Sequence, residues 1–154
     1  MTTTLTAGQA KEIIDEAIAN YDGSVGENTA ETIATIVNSD LQLRDYVLGL
    51  PNEYDTTRCA MFVSSLASQV KQKSRYALLT IGAFFEYELG EIETAKQLAE
   101  VSREINPDYN LTNLIKRVMQ AGWNPQLLVE MREDLHPKVV KTITENADGK
   151  LGTI

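Results

Sequence analysis

From residue 7 to about residue 131, apolar side chains return every three or four positions, and over no strand-length stretch do they alternate strictly with polar ones. Such spacing gathers the apolar residues of each segment on one side of an α-helix and does not suit a half-buried sheet. The chain is therefore expected to be all-α. Its 154 residues give about one domain's worth of core. No apolar run reaches the roughly 18 residues that a membrane helix needs. Met1-Thr2-Thr3-Thr4 is not the basic start of a signal peptide, so a cytoplasmic protein with no membrane partner is the expectation.

The punctuation of the pattern divides it into about seven to eight helices. Thr6 with Gln9 reads as a capping box ahead of Ala10, Ile13, Ile14, Ala17, Ile18 and Tyr21, a helix over about 7–20 that ends before Asp22-Gly23-Ser24-Val25-Gly26. Asn28 with Glu31, then Ser39 with Gln42, open two short helices or one bent one. Gly49-Leu50-Pro51-Asn52 breaks the pattern, and Asp55 to Thr57 caps a helix that buries Cys59, Phe62, Val63, Leu66 and Val70. Ser74 starts a segment, 76–85, that is apolar nearly all round and belongs at the centre. Gly90 turns the chain into its antiparallel partner, marked by Ile92, Ala95, Leu98, Ala99, Ser102 and Ile105 and stopped by Asn106-Pro107. Asn110 caps the next helix, and Asn124 with Pro125 at the first helical position opens another. Residues 1–134 read as one helical domain, with an acidic part over 1–57 and a hairpin core over 58–134. Residues 135–154 read as a short helix around Val139 to Ile143 and a frayed, flexible tail.

Residues 76–109 fit part of the 34-residue tetratricopeptide pattern, in which small residues sit where two antiparallel helices touch. Ala83, Gly90, Ala95, Ser102 and Pro107 fall at its small, turn and stop positions; Leu79, Gly82 and Glu86 depart from it. The expected architecture is a stack of antiparallel, tetratricopeptide-like helical hairpins. From about Ser39 to Met131 the chain also resembles the C-terminal helical half of an actinobacterial family of unknown function found in chromosomes, plasmids and phages. The resemblance rests on Leu43-Arg44-Asp45-Tyr46-Val47-Leu48, Leu78-Leu79-Thr80-Ile81-Gly82-Ala83-Phe84, Leu89-Gly90-Glu91 with Ala95, and Asn106-Pro107-Asp108-Tyr109. It supplies no catalytic residue.

Charge is unevenly placed. Residues 1–57 carry ten acids against Lys11 and Arg44, which accounts for the whole net charge of −8, and beyond them twelve bases balance twelve acids. A net-acidic chain lacks the basic face that direct nucleic-acid binding needs. Its acidic face, Glu12, Asp15, Glu16, Asp22, Glu27 and Glu31, would attract basic protein surfaces instead. One cysteine, Cys59, and one histidine, His136, leave no cysteine-cluster or histidine-rich metal site. Cys59 is expected in the core and His136 on the surface near the flexible end. No glycine-rich phosphate loop occurs, so no metal, cofactor or catalytic residue is expected. Glu86, Glu88, Glu91 and Glu93 crowd a turn and are expected to be solvated there. The candidates for partner contact are the basic cluster Lys71, Lys73 and Arg75, and two aromatics, Tyr109 and Trp123, at opposite ends of one helix. The basic cluster has a solubilising turn as its alternative, and Trp123 is expected to wedge between helices rather than to anchor a partner. These readings converge on a non-enzymatic protein-binding module of the helical-repeat type, with a homodimer through residues 58–70 as one form of partnering. The alternative is an acidic phage- or plasmid-encoded decoy for a basic host nucleic-acid-binding protein.

Overall fold

A computed structural model describes residues 4–153. The outermost residues of the expected domain and tail, 1–3 and 154, lie outside the described residues. Eight α-helices follow in order: α1 (Ala7–Ala19), α2 (Glu27–Ser39), α3 (Leu41–Leu48), α4 (Thr56–Gln69), α5 (Tyr76–Glu88), α6 (Ile92–Ile105), α7 (Asn110–Ala121) and α8 (Pro125–Glu145). The fold is all-α, built of helical hairpins. The one sheet among the described residues is a two-stranded antiparallel ribbon, β1 (Thr4–Thr6) with β2 (Lys150–Thr153). No helix among the described residues is long and apolar enough to cross a membrane.

Local signals place most of the helix starts. The capping box forms, with Gln9 N–H donating to Thr6 Oγ1 at 3.1 Å and Thr6 N–H to Gln9 Oε1 at 2.9 Å. Asp55 and Asn124 cap α4 and α8 through their side chains. Asp40, rather than Ser39, caps α3, accepting from Leu43 N–H at 2.9 Å, so the segment over 28–48 is two helices. Gly26 and Tyr109 stand at the starts of α2 and α7 with no side-chain cap. Gly90 and Gly122 end α5 and α7 with φ of 83° and 65°, a region where glycine meets no Cβ penalty.

Helix α5 is the axis of the molecule, in contact with α2, α3, α4, α6, α7 and α8. Its buried residues cover every side of it, as an all-round apolar helix requires. The short turn after Glu88 folds α6 back along it, and Ala83, Ala95, Ala99 and Ser102 are all buried. A Cβ added to Gly82 would lie 3.4 Å from Leu98 Cδ1, which shows how closely the pair approaches. Three fully buried hydroxyls then fix α7 to this hairpin. Thr80 lies 2.8 Å from both Ser102 and Thr112, and Thr80 and Ser102 donate to the carbonyl of Tyr76. With every member of the network bonded, α7 has one rotation about its axis.

At the other end of the domain, Arg58 of α4 donates to the carbonyls of Ile18 and Tyr21 and so caps the end of α1, whose last turn holds no basic residue. Cys59 beside it is fully buried, and burial pushes its thiol up to about 12. It is expected to resist iodoacetamide at neutral pH in the folded chain and to react once denaturant is added; equal rates in the two states would contradict the packing.

The expected boundary at residue 135 does not occur. Helix α8 continues for 21 residues through Pro137, against α3, α1 and α5, and the chain then returns to pair Lys150 with Thr6. A proline inside a helix forfeits one hydrogen bond and crowds the preceding turn. His136 and Ile143 on either side of it are buried, contacts that a helix stopping at Pro137 would forgo. The expected frayed tail is a strand over Lys150–Thr153, held further by Ala7 N–H on the Gly149 carbonyl at 2.8 Å.

Candidate functional site

An apolar cleft lies between α3, α5, α7 and α8, with a cavity of about 320 Å³. Leu48, Phe84, Leu111, Val118, Leu128 and Val139 wall it. Nine large apolar side chains are exposed among the described residues, and five of them, Leu114, Trp123, Leu127, Met131 and Leu135, lie on α7, on α8 or in the turn between them. Four of these five line the mouth of the cleft. Scattered exposed leucines need no explanation, whereas a cluster round a cavity marks a contact surface.

The cleft's charged side chains are paired within the protein. Arg44 pairs with Asp45 at 2.9 Å. Glu88 pairs with Arg132, both nearly buried, and Arg132 also donates to Asn52 at 3.1 Å. Burial raises the Glu88 pKa, and the guanidinium only partly opposes the shift, so the attraction does not restore the hydration the carboxylate has lost. His136 lies 2.7 Å from Glu53 through Nε2. A carboxylate only accepts, so Nε2 carries the proton. The ring stacks on Tyr46 at 5.6 Å, and Tyr46, fully buried, donates to Asp15. His136 Nδ1 is buried against Gly49 and has no partner within the protein. Tyr87 of α5 donates to the carbonyl of Trp123 and so holds the turn that carries the indole.

The structure redistributes the residues singled out from the sequence. Trp123 is 38% exposed at the cleft mouth and does not wedge between helices, because Gly122 turns the chain outward before α8 begins. Tyr109, at the far end of α7, packs edge-on against Tyr76 at 4.9 Å under Arg44 and is no exposed anchor. Lys71 and Lys73 are exposed, but Arg75 is half-buried and donates to the Val70 carbonyl at 3.0 Å, closing the turn before α5. On the acidic face Glu12, Glu16, Asp22 and Glu27 are exposed, while Asp15 is taken by Lys11 and Tyr46, and Glu31 accepts from the Lys71 backbone. Glu91 and Glu93 are solvated as expected, and Glu86 is half-buried. Glu88 is not solvated, since it faces inward from the last turn of α5 toward Arg132. His136 is not at the surface either, being 6% exposed.

Leu114, Leu127, Met131 and Leu135 were not among the residues expected from the sequence. A signal existed in the apolar residues at 127, 131 and 135, which add a second stripe beside Leu128, Val139 and Ile143. Two stripes exceed what one packed face requires. Among the described residues no group of three or more His, Cys, Asp or Glu side chains is gathered in the manner of a metal site. Comparison of the chain with protein-family models, curated proteins and solved structures gave no match.

Proposed function

We propose that the chain is a non-enzymatic binding module of the helical-repeat type, with α5 and α6 as a tetratricopeptide-like hairpin, and that its cleft receives an amphipathic helical segment of a partner protein. The observation that carries the reading is the ridge on α8. Leu127, Met131 and Leu135 recur every four residues along about 12 Å of α8, and Met131 and Leu135 line the cleft together with Leu114 and Trp123. A partner helix that presents anchors over two turns matches the length of this ridge. Internal pairing of the cleft's charges leaves apolar contact as the main source of affinity.

The test is selection of helical peptides from a displayed library on the full chain, repeated on the Met131→Glu and Leu135→Glu variants. Both positions are about half exposed, so the variants keep the fold. Peptides with apolar anchors are expected to bind, to survive high salt and to lose at least about tenfold in affinity on either variant. The single tryptophan reports directly, because its emission is expected to shift blue as the mouth is covered. Failure to select peptides, or peptides indifferent to both variants, would overturn the reading. Retention only at low salt would favour the acidic-decoy alternative.

A further inference from the structure

The opposite face of α7 bounds a second hollow, whose floor includes Ala99 and Met119 and whose walls carry polar and charged side chains. Lys96, Glu100 and Arg103 stand at i, i+4 and i+7 on α6, and Asn110, Asn113, Lys116, Arg117 and Gln120 face them from α7. Two adjoining depressions share Lys116 and Gln120 and so form one groove. Lys116 reaches across it to Glu100 at 2.6 Å, and the contact lowers the Glu100 pKa. The residues that line the groove include four cations and one acid, in a chain whose net charge is −8, and Lys96 also meets the exposed Glu93 at 3.6 Å, a contact that a ligand carboxylate would replace. Three side-chain amides stand among the cations.

From this juxtaposition we infer that the groove between α6 and α7 binds an acidic peptide segment of a partner protein, in which successive carboxylates meet Lys96, Arg103 and Arg117. The inference does not depend on the apolar cleft. Guanidinium and amide donors match carboxylates in geometry as well as charge. From Lys96 to Arg103 the groove runs about 10 Å, the span of roughly three extended residues, so carboxylates one or two positions apart would reach consecutive cations. A nucleic acid fits less well: no aromatic side chain lines the groove to stack a base, Glu100 stands in it, and the overall negative charge repels a long polyanion. Glu100 occupies the place of a ligand carboxylate on Lys116.

The test uses the full chain, a blocked peptide of alternating glutamate and alanine, the same peptide with glutamine for glutamate, and an oligothymidylate, each titrated by calorimetry at low and moderate salt. The glutamate peptide is expected to bind, to weaken as salt rises, and to be lost with glutamine. Arg103→Ser and Arg117→Ser, at exposed positions, are expected to weaken it about three- to tenfold each. Glu100→Gln frees Lys116 and is expected to tighten binding about two- to fivefold. Met131→Glu is expected to leave the affinity unchanged, which separates this groove from the apolar cleft. Absence of binding, equal binding of the glutamine peptide, preference for the oligothymidylate, or weakening by Glu100→Gln would each overturn the inference. So would salt-sensitive self-association of the chain alone that Arg103→Ser abolishes, since the groove's occupant would then be the acidic face of a second copy.

Discussion

In urea denaturation the Glu88→Ala variant is expected to lose about 3–5 kcal/mol of stability with little change in m-value. The cause is the partner it strands. Arg132 keeps 11% of its side-chain exposure and Glu88 only 5%, so removing the carboxylate leaves a guanidinium with Asn52 as its one remaining side-chain acceptor among the described residues. Removing both charges has the opposite consequence. Glu88→Met with Arg132→Met fills the same space without desolvating an ion and is expected to fall between neutral and about 4 kcal/mol more stable than the parent. Comparable losses in the single and the double variant would show that packing, not the stranded charge, is at stake. The pH dependence follows from the direction of the Glu88 shift. Burial raises its folded pKa above the unfolded value, so the stability this group contributes is fullest below about pH 4 and is lost as pH rises through the folded value. The double variant lacks that loss and is expected to gain on the parent as pH is raised toward neutrality.

Gly49→Ala is expected to cost about 1–3 kcal/mol although it adds a single methyl group. A Cβ there would overlap His136 Nδ1 and lie 2.9 Å from Cγ. The ring has nowhere to go. Glu53 holds its Nε2, Tyr46 stacks on its face, and Tyr46 is itself fixed by Asp15 on α1. The strain would spread along the floor of the cleft, and peptide affinity is expected to fall with stability. A cycle with His136→Ala isolates the contact: with the ring gone the methyl group fits, so the double variant is expected to be more stable than the sum of the single losses predicts. Additive losses would place the cost elsewhere.

Several elements were legible from the chain alone because their causes are local. Thr6 with Gln9, Asp55, Asn124 with Pro125, and the turns at Gly90 and Gly122 each act through hydrogen bonds or dihedral freedom within a few residues. The central place of α5 followed from apolar residues on all its sides. The full length of α8 is not legible locally, because the residues from Leu135 on are polar and glycine-bearing, whereas the burial of His136 and Ile143 against other helices is not local. The candidate site was harder still. Trp123 stood out as a residue type, but Leu114, Met131 and Leu135 look in sequence like any other core leucine or methionine. A basic run such as Lys71 to Arg75 is visible at once, while Arg103, Lys116 and Arg117 meet only across a helix interface.

What the sequence determined by itself is the all-α class, the order of the helices, the acidic first third and the lack of cysteine and histidine in number, since periodicity, capping and composition depend only on near neighbours and counts. Tertiary structure alone decided which apolar stripes face inward and which remain open. It also decided that Glu88 and His136 are buried, that residues 4–6 and 150–153 close into a ribbon, and that α7 divides an apolar cleft from a basic groove. The physical reason is that each helix carries more apolar and charged surface than one partner can cover. Only the three-dimensional stack, with the Thr80, Ser102 and Thr112 hydroxyls fixing the rotation of α7, assigns each face to the core or to solvent.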